Sequence, residues 1–420
     1  MLVEFRVKNF RSIRDEQVFS LVATSDKTLK DTHTIQTDIS SVPAILRSSA
    51  IYGANASGKT NLIKAMQFMK ALVAESATMI KPGQSFTLKP FLLDAETASE
   101  PSSFEMTFIS ENIRYQYGFS LTAHRIIKEY LLVYKTFKPQ NWFERNFDAK
   151  SGKDIYEFGT GLKGPKNVWE NATRDNALFL SMAVQLNSEP LKPVFNWLVN
   201  DLIIFNERTP LLPHFTLQML NQPEGKKSIL DFINQADISL ADIQVNKKKV
   251  PTQMLHFDAK EGKTEIRQQE VENNELLFHH KTEEGSAVFE FMDESHGTRN
   301  LLILSGPIID IIKNGRTLIV DELESGLHPL LLKELVNLFH QPSAKTNAQL
   351  IFTTHNTNLL DAPGVFRRDQ IWLVEKDEAQ ATHFISLAEF SPRKNEAKEN
   401  GYLSGRYGAV PFLKEWQIIK

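Results

Sequence analysis

One stretch limits the fold more than any other: SSAIYGANASGKTNLIKAMQFMKALV, residues 48–73. A short apolar strand runs into a glycine-bearing loop and then into an apolar-periodic helix. Gly53 to Thr60 fits the pattern G-x-x-x-x-G-K-[ST] in the strand–loop–helix context that such a pattern requires. The glycines let backbone N–H groups wrap a phosphate, and the helix presents its positive end to the anion. Lys59 is expected to reach the outer phosphates and Thr60 to offer its hydroxyl to Mg2+. Gly53, Asn55, Ser57, Gly58 and Asn61 are expected to complete the cradle.

The last 130 residues read as buried strands alternating with helices: RTLIVDE, HPLLLKELVNLFHQ, AQLIFTTH and QIWLVEK. That alternation predicts a parallel sheet covered by helices, an α/β fold. LIVDE ends in two acids, Asp321 and Glu322, and carboxylates at the end of a buried strand need a partner for their charge. A Mg2+–phosphate site supplies one, with Asp321 on the metal side and Glu322 polarising the attacking water. His355, in FTTHN, falls at the carboxyl edge of the next strand, the usual ligand side of a parallel sheet. It is expected to contact the γ-phosphate. The turn ELESGLHP, with Glu324, Ser325, Gly326 and His328 ahead of Pro329, reads either as a helix start or as a loop meeting a second subunit.

DESHGTRNLL, residues 293–302, places a serine beside a histidine and invites a hydrolase reading. Neighbours in sequence diverge in space, so Ser295 and His296 are poor partners for a nucleophile and its base, and no G-x-S-x-G elbow is present. The stretch instead resembles a helix start in which Ser295, Gly297 and Thr298 form an anion site. Two phosphate-binding elements in one chain can serve one nucleotide only if they come from different copies. The helix that follows contains Pro307, where a kink or break is expected.

Elsewhere LVEFRVKNF alternates as a half-buried strand, and residues 103–136 read as an antiparallel meander. Residues 137–286 are less regular. There NATRDNALFLSMAVQL, with an Asn or Thr cap, and PLKPVFNWLVNDL suggest helices, and ADIQVNKKKV and ELLFHHKT suggest strands. The expected organisation is a discontinuous ATPase domain, 1–136 and 287–420, interrupted by a mixed α/β insertion at 137–286.

The formal net charge is −3 over 420 residues, so any DNA or RNA contact must come from a local basic patch. The densest basic run, NKKKV at 246–250, reads as a solvated loop or strand end. The absence of cysteine excludes disulfides and Cys-based zinc sites and fits a reducing cytosol. No leader-like or spanning apolar run is found, so no membrane attachment is expected.

Together these motifs resemble the ATP-binding-cassette ATPases, in their RecF/SMC-like branch. FRVKNFRSI is similar to that branch's opening strand and turn, which puts Arg11 near the nucleotide. ESHGT resembles a diverged signature, ESGLHP the D-loop region (Glu324, Ser325, Gly326), and His355 the switch histidine. No glutamine is secured as the Q-loop residue; Gln84 and Gln116 are both candidates. DESHGTRNLL, LIVDELESGLHP, RRDQIWLVEKD and GYLSGRYGAVPFL carry a narrower resemblance. It is to the RloA/AbiL-type ATPases of abortive infection and phage defence, akin to the ATPase of overcoming-lysogenization-defect nucleases. It covers residues 1 to about 136 and 287 to 420.

The resemblance implies a cassette ATPase head with a mainly parallel sheet and an antiparallel β subdomain. Its cofactors would be ATP and Mg2+, used in a cytoplasmic homodimer or higher oligomer that controls a separate nuclease or toxin. A RecF-like DNA-repair ATPase is the alternative. A transporter subunit fits poorly with the diverged signature and the large insertion. WLVEKDE reads as a strand of the ATPase sheet rather than as the opening of a nuclease domain. GYLSGRYGAVPF fixes a tight turn or docks a partner; the residues do not decide between the two.

Overall fold

The computed structural model describes residues 1–205, 214–236, 238–258, 263–341, 346–390 and 397–411, with backbone alone at 214, 249–258 and 263–273. The chain divides into two units. The first comprises Met1–Glu207, Ile311–Glu324 and Leu332–Lys420; the second comprises Arg208–Asp310 and Ser325–Leu331.

The first unit holds two large sheets. Its strands begin with β1 (Leu2–Lys8), β2 (Gln17–Ser20), β3 (Thr34–Gln36), β4 (Ala44–Leu46) and β5 (Ser48–Gly53). A run of five follows: β6 (Ser102–Ser110), β7 (Ile113–Leu121), β8 (Ile126–Tyr134), β9 (Gln140–Asp148) and β10 (Lys153–Phe158). The antiparallel sheet has the order β10-β9-β8-β7-β6-β1-β2. Its alternating burial, as in β6, follows from one face packing on the core.

The unit continues with β11 (Leu202–Phe205). In the second unit the long strands β12 (Asp242–Asp258) and β13 (Lys263–Lys281) pair with each other, and β14 (Ser286–Glu290) joins them. Back in the first unit come β15 (Thr317–Val320), β16 (Gln349–Thr353), β17 (Ile371–Lys376) and β18 (Thr382–Ser386). Here the order is β11-β15-β16-β5-β17-β18, parallel throughout except for β18 at the edge. Every residue of β5, β15 and β16 is buried, as strands covered on both faces must be. The expected parallel sheet is therefore present, and WLVEK is one of its strands.

The organisation differs from expectation in the middle of the chain. Residues 137–205 fall in the first unit and not in an insertion. β9 and β10 extend the antiparallel sheet, and β11 pairs in parallel with β15. NWFERNFD lies in β9, which pairs with its neighbours in the chain, β8 and β10, and so continues the meander; β11 finds its partner, β15, far along the sequence, which a local reading cannot supply. The helix expected over NATRDNALFLSMAVQL is shorter, Phe179–Gln185, and no side chain of its own caps it. The carboxylate of Glu129, from β8, caps it instead, accepting from Phe179 N (2.6 Å) and Leu180 N (3.0 Å). Over PLKPVFNWLVNDL, a helix at Lys192–Asn196 continues as a wider π-helical turn, Trp197–Asp201.

Pro307 does not break its helix, which runs continuously from His296 to Asn314. Proline lacks the N–H that would bond the carbonyl four residues back. That carbonyl, Ile303 O, instead lies 3.3 Å from the Thr216 hydroxyl, which donates to it. Gly306 makes the approach possible, since a Cβ there would lie 2.6 Å from Thr216 Oγ1. In NKKKV, Lys248 pairs with Glu275 across the hairpin (2.9 Å), as an exposed strand would.

Two buried histidines stack in the first unit. The rings of His33 and His340 lie 3.8 Å apart. His340 Nε2 meets Ser48 Oγ at 2.8 Å, and His33 Nε2 meets Val365 O at 3.1 Å. Burial lowers both pKa values; for His33 it outweighs the backbone bonds to Val365 and Gly364, and Arg367 adds to it, while for His340 the proximity of His33, which opposes protonating both rings, and of Arg47 adds to it. Above the unfolded value, about 6.5, both rings are neutral in either state and their stabilisation is complete. As pH falls below it the unfolded chain binds protons that the folded chain refuses, so stability is lost. The unfolding midpoint is expected to drop between pH 7 and pH 5, and His340→Asn to flatten that slope. Equal slopes in thermal melts of the two proteins would contradict this.

Candidate functional site

The phosphate loop connects β5 to the helix Lys59–Glu75. Its shape depends on two glycines. A Cβ on Gly53 would lie 2.3 Å from Val374 O in the neighbouring β17. Gly58 has φ 113°, and a Cβ there would lie 2.2 Å from Thr382 Oγ1, so only glycine fits. Asn55 and Ala56 crest the loop, exposed, while Ser57, Gly58 and Lys59 are buried. Lys59 Nζ donates to Gly53 O (2.8 Å) and Ala54 O (3.1 Å). Burial lowers the pKa of Lys59, against the opposing pull of Glu322, Asp321 and Glu324. A lysine so placed is a cation aimed at the loop's centre.

The acids arrive on the next strand but one. β15 delivers Asp321 beside Thr60, whose hydroxyl lies 3.3 Å from Asp321 Oδ1; Thr353, at the end of β16, donates to the same oxygen at 2.6 Å. One carboxylate and one hydroxyl at a phosphate loop fit Mg2+, which takes few protein ligands and fills its octahedron with phosphate and water oxygens. Among the described residues no group of three or more His, Cys, Asp or Glu side chains could hold a metal, so the donor set suits a phosphate-borne cation rather than a protein cage. Glu322 has φ 54°, in the left-handed region, and its N–H donates to Thr353 Oγ1 (2.7 Å). A non-glycine residue held there is strained. One threonine therefore fixes both acids.

His355 is exposed at the end of the β16 loop, and its backbone N–H donates to Glu324 Oε1. Partial desolvation and then the Lys59 charge lower its pKa, against Glu324 and Asp321, so the neutral ring is favoured. The fold thus brings Lys59, Thr60, Asp321, Glu322, Glu324 and His355 to one edge of one sheet.

Two further residues complete the loop and carry no local sequence signal. Thr382, on β18, donates to Ser57 O (2.8 Å) and lies 2.7 Å from Ser12 Oγ, which also accepts from Asn61 Nδ2 (2.7 Å). Residues 12, 57, 61 and 382 meet only through the fold. Arg11, beside Ser12, has φ 54° and donates its N–H to Lys89 O (2.8 Å). Its guanidinium lies over the Phe10 ring, 5.5 Å from the centroid. Neither glutamine candidate bonds to the loop: Gln84 accepts from Lys81 N, and Gln116 bonds Glu105 and Tyr134 on the antiparallel sheet.

The second unit joins the remaining expected residues to one another. Ser295 Oγ accepts from Thr298 N (3.1 Å), capping the His296–Asn314 helix. Ser295 and His296 form no nucleophile–base pair, since His296 Nδ1 faces Asn300 Nδ2 at 3.5 Å. A Cβ on Gly297 would lie 2.4 Å from Gly326 O, and one on Gly326 (φ 70°) 2.4 Å from His296 Nδ1. Asn300 Nδ2 donates to Ser325 O (2.7 Å). The turn entering the helix and the turn Ser325–Gly326 are therefore interlocked, backbone against backbone.

The C-terminal segment GYLSGRYGAVP belongs to the first unit. Its helix, Lys398–Leu403, and following turn face the crest of the phosphate loop across an open cavity of about 570 Å3. Phe412 and Leu413, the end of the motif noted in the sequence, lie outside the described residues.

No curated protein matches the chain. Similar solved structures include the SMC head domain from Thermotoga maritima, 14% identical with a TM-score of 0.40 and covering 92% of this chain and 98% of that one. An SmcHead bound to the C-winged helix domain of ScpA is 13% identical with a TM-score of 0.44, covering 94% and 98%. An Smc head with an extended coiled coil, bound to the C-terminal domain of ScpA derived from Pyrococcus furiosus, is 11% identical with a TM-score of 0.40, covering 92% and 97%. The sheet order and the phosphate loop stand independently of these likenesses: the fold is α/β, a mainly parallel sheet carrying a P-loop. No helix among the described residues is long and apolar enough to cross a membrane. Residues 48–361, from β5 through the acidic strand to the loop after His355, match the family described as "AAA domain, putative AbiEii toxin, Type IV TA system", and the chain belongs to that family.

Proposed function

We propose that the chain binds and hydrolyses ATP with Mg2+ as a head-to-tail pair of copies. The observation that carries this reading is the convergence of Lys59, Thr60, Asp321, Glu322 and His355 on the carboxyl edge of one parallel sheet. Phosphoryl transfer needs positioning and charge stabilisation more than covalent chemistry, and these residues supply both. Backbone N–H groups of the loop and the Lys59 ammonium hold the phosphates. Thr60 and Asp321 would hold Mg2+, which when bound neutralises charge on the phosphate oxygens. Glu322 orients the attacking water and accepts its proton, and neutral His355 donates a hydrogen bond at the γ-phosphate. Asn55, Asn61 and Arg11 line the approach. Ser295, Gly297 and Thr298 of the second copy close the site, with Glu324, Ser325 and Gly326 at the junction.

The family's description as a putative toxin of a Type IV TA system supports a role in a toxin system, and from the RloA/AbiL resemblance we infer that the ATPase governs a separate effector, a nuclease or toxin, in cytoplasmic anti-phage defence.

Mixing defective copies tests the shared site. Ser295→Arg alone and Lys59→Ala alone are expected to lose turnover, and an equimolar mixture to regain part of it, because one of the two sites in a mixed pair is intact. No recovery from two folded variants would sink the trans arrangement. Hydrolysis stimulated by DNA rather than by a co-purifying effector would turn the biological reading toward DNA maintenance.

A further inference from the structure

The C-terminal segment fastens the two residues that follow His355. Thr357 donates its hydroxyl to Glu399 Oε1 at 2.6 Å. Asn356 O accepts from the hydroxyl of Tyr52 (3.2 Å), and the Tyr52 ring meets that of Tyr402 edge to face, with centroids 5.9 Å apart. The helix carrying Glu399 and Tyr402 is itself anchored to the short helix that follows the His355 loop, Asn358–Asp361, since Asp361 accepts from Lys398 N (2.6 Å) and Glu399 N (3.0 Å).

The segment also reaches the phosphate loop, through its supports. Tyr52 is the last residue of β5 before Gly53. The turn beyond the helix is tied to Glu375 of β17, whose carboxylate accepts from Ala409 N (2.9 Å). Gly408, φ 69°, is required there because a Cβ would lie 2.2 Å from Glu375 Oε2. Val374, one residue earlier, pairs with Gly53. The cavity between turn and loop means that the hold runs through Tyr52 and Glu375 and not through the crest.

We propose that Glu399 and Tyr402 are positioning residues for His355, and that the segment Lys398–Pro411 sets the His355 loop against the phosphate loop. The proposal rests on the ATPase reading above. It assigns a role to a motif that the reaction itself does not use. The clamp holds the phosphate loop at its supports, Tyr52 and Glu375, and not at its crest or at Lys59, so loosening it is expected to disturb the His355 geometry more than nucleotide binding.

Steady-state kinetics of the full chain with MgATP test it. Glu399→Ala and Tyr402→Leu are expected to lower kcat about ten- to a hundredfold, the scale of an ångström-size misplacement, with KM changed less than about twofold. Glu399→Gln keeps an oxygen for Thr357 and Tyr402→Phe keeps the ring, so both are expected to restore most of kcat. Unchanged kcat in Glu399→Ala and Tyr402→Leu overturns the proposal, as does a joint loss of kcat, KM and folding that the conservative variants do not reverse. His355→Ala separates the two readings. If it is slow while Glu399→Ala and Tyr402→Leu are fast, the positioning role alone fails; if it turns over normally, the role of His355 fails and the positioning role with it.

Discussion

Glu322→Gln is expected to cut ATP turnover by about 10²–10⁴-fold, the usual contribution of a positioned general base, while leaving MgATP bound. The substitution preserves size and the backbone bond from Glu322 N to Thr353 Oγ1, and it removes only the basic oxygen. Asp321, with its own bonds to Thr60 and Thr353, keeps the metal side intact. ATP held without turnover should also hold two copies together, visible as a dimer in gel filtration that forms with ATP and not with ADP. Normal hydrolysis by the variant would remove Glu322 from the mechanism. Loss of MgATP binding would instead show that Glu322 belongs to the binding set.

Arg145→Met is expected to cost about 3–5 kcal/mol, the penalty for leaving a buried charge without its partner. Arg145 and Glu129 are both fully buried, 3.9 Å apart. Arg145 also donates to Ala177 O (2.6 Å), Arg174 O (3.0 Å) and Asp154 (2.7 Å). Glu129 accepts from Tyr117 OH and from the two N–H groups that open the Phe179–Gln185 helix. Burial pushes its pKa up and prevails over Arg145 and those donors, which pull it down; without Arg145 the push grows. Combining Glu129→Gln with Arg145→Met should recover part of the loss, because the buried charge is then gone. A double variant as unstable as the sum of both single variants would show that packing, not charge, makes the site costly to change. Midpoints of chemical unfolding followed by intrinsic fluorescence give the comparison.

Legibility in the sequence followed locality. Gly53–Thr60, Asp321–Glu322 and His355 announce themselves because each motif sits beside the strand that aims it, and the parallel sheet then brings the strand ends together. Thr382 and Ser12 give no such sign: a threonine on an edge strand acquires meaning only when 325 residues of intervening chain bring it to Ser57. The same holds for β11, whose partner β15 lies far along the chain, and for Glu129, which caps a helix fifty residues away. Pro307 shows the reverse error, in which a sound local rule is overridden by one hydroxyl from another helix. GYLSGRYGAVPF was visible as a motif, but whether it fixes a turn or docks a partner depends on Glu375 and Tyr52, which no spacing rule connects to it.

The Thr216 hydroxyl on Ile303 O has a mechanical meaning. With its loose carbonyl satisfied and its first turn capped by Ser295, the His296–Asn314 helix is a rod about 28 Å long and not two segments joined at a swivel. A rod transmits a push from one end to the other; a swivel absorbs it. The choice between rod and swivel is thus made by a side chain that touches neither end of the helix.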